Sequence, residues 1–277
     1  MGASGLNTTV KLSNGIEMPQ LGLGVWRMSD GNEVENAVRW AIEAGYKHID
    51  TAKVYENEVG VGQAIRDTGI ARDDVFVTTK VWNSDQGYDS TLRAYDRSME
   101  LLGFEYADLY LVHWPVKGKY KESWRALETL YKEGRVKSIG VSNFLVHHLQ
   151  DVLDGASIVP MVNQVEFHPR LQQPELQAFC KSNGIQLEAW SPIMKGRVVD
   201  IPELIEIGSR HGKNAVHVTL RWLYQKGVVA IPKSSRQERI VSNVQIFDFE
   251  LSDDEMNTID NLDQGTRVGP DPDNFDF

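Results

Sequence analysis

Short apolar runs alternate along the chain with longer stretches whose apolar residues recur at three-and-four spacing. The first run, LGLGVW (Leu21 to Trp26), is followed by GNEVENAVRWAIEAG, where Val34, Ala37, Val38, Ala41 and Ile42 mark one face of an amphipathic helix that stops at Gly45. HIDTA then leads into NEVGVGQAIRDTG, VFVTTKVW into YDSTLRAYDRSMELLG, and DLYLVHW into KESWRALETLYKEG. SIGVSN, MVNQVEFH, QLEAWSP and VVAIPKS continue the series, separated by LVHHLQDVLDGA, PELQAFCKSNG and the pair ELIEIGSRHG and AVHVTLRWLYQKG. Counted from LGLGVW, there are eight strands. The runs are apolar instead of alternating, as parallel strands covered on both faces require. Eight βα units predict an α/β fold, a (β/α)8 TIM barrel and not an open doubly wound sheet.

The two ends of the chain add to this frame. TTVKLSNGIEMP reads as a hairpin ahead of the barrel, turning on Asn14-Gly15 in a two-residue loop. RQERIVSN starts the last barrel helix, and SDDEM, with Ser252 and Glu255 in capping-box spacing, starts an extra one. The tail GPDPDNFDF is expected to lie extended over the surface. No composition break or linker divides the chain, so residues 1–277 are expected to form a single domain.

Charge and composition narrow the function. A net charge of −10 argues against a nucleic-acid or anionic-membrane surface. One cysteine, Cys180, allows no internal disulfide. No apolar stretch approaches the ~18 to 20 residues of a membrane span, and MGASGLNTTVKL lacks the apolar core of a signal peptide. Leu6 stands where a myristoylation signal needs Ser or Thr. These readings predict a cytoplasmic protein; a monomer with a small molecule as its partner is a separate expectation.

The candidate chemistry sits at strand ends. Asp50 lies at the C-terminal end of the HIDTA strand with Tyr55 in the loop beyond, Lys80 closes VFVTTK, and His113 closes LYLVH. Singly these read as a helix cap, a packed ring, a solvated lysine and a core histidine. At one barrel mouth they form a constellation, in which Asp50 pairs with Lys80 and the lysine cation favours the Tyr55 phenolate. A phenol with an ordinary pKa of ~10 would then serve as general acid and base near neutrality. His113 would hydrogen-bond a carbonyl oxygen lying between itself and Tyr55.

GYKHIDTAKVYENE, VFVTTKVWNSDQGY, DLYLVHWP, IGVSNF, MVNQVEFHP, EAWSP and VAIPKS resemble, in order and over essentially the whole chain, the signature stretches of the aldo-keto reductase superfamily. Within it, WNSDQGY, the VGPDPD tail and the tryptophan of EAWSP are most similar to bacterial glyoxal and methylglyoxal reductases and 2,5-diketogluconate reductases, with trypanosomatid prostaglandin F synthases as close relatives. The resemblance implies an NADPH-dependent oxidoreductase that reduces small aldehydes, ketones and dicarbonyls to alcohols, with Asp50, Tyr55, Lys80 and His113 as the catalytic tetrad. It places Ser142, Asn143 and Gln164 at the nicotinamide carboxamide and Trp190 stacked on the nicotinamide ring. Ser191 and Ile193 continue toward the pyrophosphate, and Lys233, Ser234, Arg236, Arg239 and Asn243 lie at the adenosine end. Lys233 and Arg239 would meet the 2′-phosphate, the reason to expect NADPH over NADH. Ser242 stands where a glutamate often touches the adenine. Trp26, Trp82 and Trp114 become candidate walls of an aromatic substrate entrance, which the short tail leaves more open than in the mammalian reductases. Lys53 replaces a usual alanine, either favouring acidic substrates or pointing to solvent.

Other signals carry less. GLG at Gly22 to Gly24 and GVG at Gly60 to Gly62 do not complete a dinucleotide fingerprint. His147, His148 and the remaining histidines lack metal-ligand spacing with cysteine or acid partners, so no catalytic metal is expected. Two other classes stay open: an aldolase or phosphosugar enzyme using Lys80 as Schiff-base nucleophile, and a non-catalytic redox-sensing subunit like the potassium-channel β subunits.

Overall fold

The computed structural model describes residues 5–277; residues 1–4, on which the leader and myristoylation readings partly bear, lie outside the described residues. The first strands, β1 (Thr9–Lys11) and β2 (Glu17–Pro19), pair antiparallel as expected. Their turn differs from the two-residue loop, because the Leu12 N–H reaches the Ile16 carbonyl at 2.9 Å and only Gly15, at φ 89°, takes the left-handed conformation. That is the three-residue pattern with glycine in the last loop position. Asn14 is not among the positive-φ residues, and its side chain anchors the turn, Nδ2 donating to the Lys137 carbonyl at 3.0 Å and Oδ1 accepting the Ile16 N–H at 3.2 Å. The hairpin is thereby fastened to the start of a barrel strand.

Eight strands form one parallel sheet in chain order: β3 (Leu23–Gly24), β4 (His48–Asp50), β5 (Phe76–Val81), β6 (Leu109–Val112), β7 (Ile139–Ser142), β8 (Val162–Glu166), β9 (Gln186–Trp190) and β10 (Val229–Ala230). A parallel bridge between Leu21 and Ala230 joins the first to the last, with the Gly22 N–H donating to the Ala230 carbonyl at 2.9 Å and the Ala230 N–H to the Gln20 carbonyl at 3.0 Å. The expected barrel is thus observed, with β3 shorter than the Leu21–Trp26 run. Between successive strands lie α1 (Asn32–Glu43), α2 (Glu58–Asp67), α3 (Tyr88–Leu102), α4 (Tyr120–Lys132), α5 (Val146–Leu153) and α6 (Pro174–Ser182). The pair α7 (Pro202–His211) and α8 (Ala215–Gln225) precedes β10, and α9 (Gln237–Asn243) and α10 (Asp253–Asp260) follow it. The expected capping box opens α10, Ser252 Oγ accepting the Glu255 N–H at 3.3 Å while Glu255 Oε2 accepts the Ser252 N–H at 3.0 Å.

The glycines of GVG lie inside α2 and serve packing. A Cβ at Gly62 would sit 1.9 Å from the Leu102 carbonyl oxygen, so this residue is what lets α2 lie against the end of α3. Side chains that leave a strand on one face recur every second residue. His48 and Asp50, Thr78 and Lys80, Gln164 and Glu166, and Glu188 and Trp190 are such pairs, and register sets Gln164 beside both Ser142 and Glu188.

Candidate active site

The floor of the site is an ion pair. Lys80 Nζ donates to Asp50 Oδ1 at 2.7 Å and to the Thr51 carbonyl at 2.9 Å, and neither side chain is more than 2% exposed. Burial is the largest single influence on Lys80 and opposes its charge, but the Asp50 carboxylate and the other acidic groups around it together outweigh burial, so the amine ends above its ordinary pKa and stays a cation. Burial likewise raises Asp50, with Lys80 pulling the other way. Tyr55 ends a single helical turn, Lys53–Tyr55, just past β4, and Lys80 Nζ lies 5.1 Å from its ring centroid. His113 follows β6 directly, its ring 5.8 Å from that of Tyr55 and nearly perpendicular to it at 74°. The strand-end residues singled out by sequence therefore converge at one mouth.

One electrostatic expectation is corrected. Burial pushes the Tyr55 phenol up to about 12 even though Lys80 pulls it down, so the resting residue is a protonated donor and not a phenolate poised near neutrality. Desolvation and the Lys80 charge hold His113 well below the usual histidine range, which keeps it neutral.

Around this floor the polar groups are already bonded to one another. Ser142 Oγ donates to the Gln164 carbonyl at 2.8 Å, Asn143 Nδ2 to the His113 carbonyl at 3.0 Å, and Trp190 Nε1 to Asn143 Oδ1 at 2.8 Å. Gln164 Nε2 donates to Asp50 Oδ2 at 2.7 Å and to Glu188 Oε2 at 2.9 Å. Trp190 is half-buried and Ser191 beside it takes a left-handed φ of 52°. Ile193 follows, packed against the core.

The rim is different. Lys233, Arg236 and Arg239, before and on α9, are exposed, with no ion-pair partner among the described residues. Ser234 Oγ accepts the Arg236 N–H at 3.2 Å and Asn243 is buried at the end of the helix. Ser242 turns to α8, its Oγ 2.9 Å from His217 Nε2, so its hydroxyl is engaged within the fold. Lys53 is paired with Asp85 at 3.2 Å; its charge is already matched, and it does not simply point to solvent.

The tail does not merely lie on the surface; it crosses the mouth. Glu166 Oε1 and Oε2 accept the Gly269 N–H, both at 3.2 Å, and a Cβ on Gly269 would come within 2.3 Å of the Trp190 ring. Phe277 then stacks on Trp82 at 5.8 Å and 4°, meets Trp114 edge-on at 5.2 Å, and its carbonyl accepts from Asn83 Nδ2 at 3.0 Å. Phe275 also packs on Trp114, at 5.1 Å. Phe275 and Phe277 thus form part of the wall of this entrance. Trp82 lies 5.2 Å from the His113 ring, whereas Trp26, 43% exposed, stands at the rim under Arg27.

The sequence matches the Aldo/keto reductase family over residues 20–264. The chain belongs to the aldo/keto reductase family. It is 56% identical to the glyoxal reductase of Bacillus subtilis over 98% of this chain and 99% of that one. It is 55% identical to the 9,11-endoperoxide prostaglandin H2 reductase of Trypanosoma cruzi over 96% of this chain and 95% of the relative. Among solved structures, a mutant of Gox0644 in complex with NADPH superposes with a TM-score of 0.93 at 43% identity, covering 98% of this chain and 99% of that one.

Two carboxyl groups of this aldo/keto reductase escaped the sequence reading. Glu166 and Glu188 lie inside strands and are no more than 1% exposed. Their signal was available: an acid within an otherwise apolar parallel strand is costly to bury and needs a partner. A third miss is the acid partner of the histidines. Asp273 of the tail lies 3.0 Å from His147 and 3.4 Å from His148. His148 Nδ1 accepts the Leu145 N–H at 3.2 Å, which places its ring proton on Nε2, facing Asp273.

Proposed function

We propose that this chain is an NADPH-dependent reductase of small aldehydes, ketones and dicarbonyls such as glyoxal and methylglyoxal, working as a single-domain monomer in the cytoplasm. The observation that carries the reading is the buried Lys80–Asp50 pair lying against a protonated Tyr55 beside a neutral His113. The residues fit the cofactor: Trp190 offers a flat, half-buried face, and Lys233, Arg236 and Arg239 are exposed cations that make no close ion pair among the described residues, although the Lys233 charge is felt at Glu33. Ser142, Asn143 and Gln164 would hold the carboxamide, with Ser191 and Ile193 toward the pyrophosphate and Ser234 and Asn243 toward the adenosine. When bound, NADPH supplies the hydride.

The rest is done by the chain. His113, neutral, donates one hydrogen bond to the carbonyl oxygen and Tyr55 a second, which polarises the carbon. Tyr55 passes its proton to that oxygen as negative charge builds on it. Lys80 stabilises the phenolate left behind, and Asp50 keeps Lys80 charged and in place. Trp82 and Trp114, with Phe277 against them, exclude water on the substrate side. A Schiff-base role for Lys80 needs a neutral amine, the form that the Asp50 pairing disfavours.

The test is a carbonyl panel including glyoxal and methylglyoxal, read by loss of NADPH absorbance. Tyr55→Phe should lose the ~10² to 10⁴ of general acid catalysis while still binding NADPH. A wild-type protein that reduces no carbonyl in the panel overturns the reading.

A further inference from the structure

Beneath the tetrad lies a carboxyl group that the proposed chemistry does not use. Glu188 sits mid-strand on β9 and is fully buried. Facing it are Asp50 and His48 from β4, Lys80 from β5, Tyr55 from the turn after β4, and Gln164 from β8. Its Oε2 accepts one hydrogen of Gln164 Nε2 at 2.9 Å, and Asp50 Oδ2 accepts from the same nitrogen at 2.7 Å. One amide therefore joins two carboxyl groups in the floor of the site, with Glu188 Oε1 left without a partner, 3.7 Å from His48 Nε2.

Two carboxylates sharing one amide and facing one lysine repel each other, and a single cation does not neutralise both. The arrangement resolves if one of them keeps its proton. Asp50 holds the direct 2.7 Å contact to Lys80, so the proton belongs on Glu188. His48 offers no charge in compensation, since burial and the nearby lysine bring it down to about 3.

Resting on the proposed reductase reading, we propose that Glu188 is a positioning residue held as the neutral acid. Its carbonyl oxygen occupies one Gln164 Nε2 hydrogen and Asp50 the other, which fixes the amide that would meet the cofactor. Its neutrality leaves Asp50 the one anion on Lys80. Burial, with Asp50 adding to it, raises the Glu188 carboxyl to about 8. Above that pH a second anion appears beside Tyr55, whose phenol it pushes further up and makes a weaker donor.

The sign for stability follows from linkage. A carboxyl raised in the folded protein contributes most at low pH and loses its contribution as pH climbs from about 4.5 toward about 8. The stability of wild type relative to Glu188→Gln, which has no proton to lose, should therefore fall across that window.

The experiment compares wild type, Glu188→Gln and Glu188→Ala in four measurements. Thermal melting from acid to alkaline pH should show wild type losing ground to Glu188→Gln as pH rises, and an infrared difference spectrum at neutral pH should show a protonated-carboxyl band in wild type that Glu188→Gln lacks. NADPH titration by tryptophan fluorescence should show Glu188→Ala weakened by roughly fivefold to tenfold, equivalent to about one hydrogen bond, and Glu188→Gln restoring the affinity. The pH profile of carbonyl reduction should lose its alkaline limb near 8 in Glu188→Gln. A pH-independent melting difference with no protonated-carboxyl band overturns the proposal even if reduction is robust. Should wild type fail to reduce any carbonyl while the band and the melting trend are present, the reductase reading falls and the neutral acid stands.

Discussion

The floor and the rim of the barrel mouth are built on opposite plans. On the floor, Lys80 and Gln164 both donate to Asp50 at 2.7 Å and Asn143 donates to the His113 carbonyl at 3.0 Å, all inside the protein. At the rim, Lys233, Arg236 and Arg239 stand in solvent and make no close ion pair among the described residues. A buried charge without a partner is too costly to fold around, so the floor must be complete before any ligand arrives. Exposed cations are hydrated and can wait. The floor is therefore expected to set rate and the rim affinity.

The largest effect should come from breaking the floor. Lys80→Met removes the cation beside Tyr55 and strands Asp50, so turnover should drop by at least ~10², and stability should fall by about 3 to 5 kcal/mol for a broken buried pair. Stopped-flow reduction and denaturant melts measure the two. An intact Tm would mean that Asp50 is neutral and the floor is not an ion pair.

A smaller effect, on binding alone, is expected at the rim. Arg239→Ala should weaken NADPH by about one to two powers of ten, equivalent to one charge-assisted hydrogen bond, and leave NADH nearly unchanged. Rising salt should narrow the gap between wild type and variant, since exposed charges are screened. Equal losses for both cofactors would show that Arg239 acts through folding or the shared pyrophosphate, and would erase the contrast with the floor.

The smallest change concerns the wall between the two regions. Phe277→Ala removes a ring stacked on Trp82, and such a pair contributes about 0.5 to 1.5 kcal/mol. KM for small dicarbonyls should rise by up to about tenfold, kcat should hold, and bulkier aldehydes should gain relative to small ones. A loss confined to kcat would instead tie the tail to the floor.

Much of this was legible without coordinates. Hydrophobic period and strand-ending polar residues are local properties, so the barrel, the capping box of Ser252 and Glu255, and the places of Asp50, Tyr55, Lys80 and His113 could be read along the chain. A parallel barrel also forces strand ends to one mouth, which is why those residues could be grouped before their distances were known.

What only the tertiary structure decided depends on distant neighbours. Tyr55 ends up above its ordinary pKa because enclosure outweighs the lysine beside it, and enclosure is not written in the spacing of residues. Lys53 meets Asp85, Asp273 meets His147 and His148, and Phe277 meets Trp82 through contacts that no local pattern encodes. Sequence by itself determined which chemistry reaches the mouth of this barrel. The packing of the chain determined which of those charges are matched, which protons are held and where the tail closes, because desolvation and pairing are set by whatever folding brings alongside.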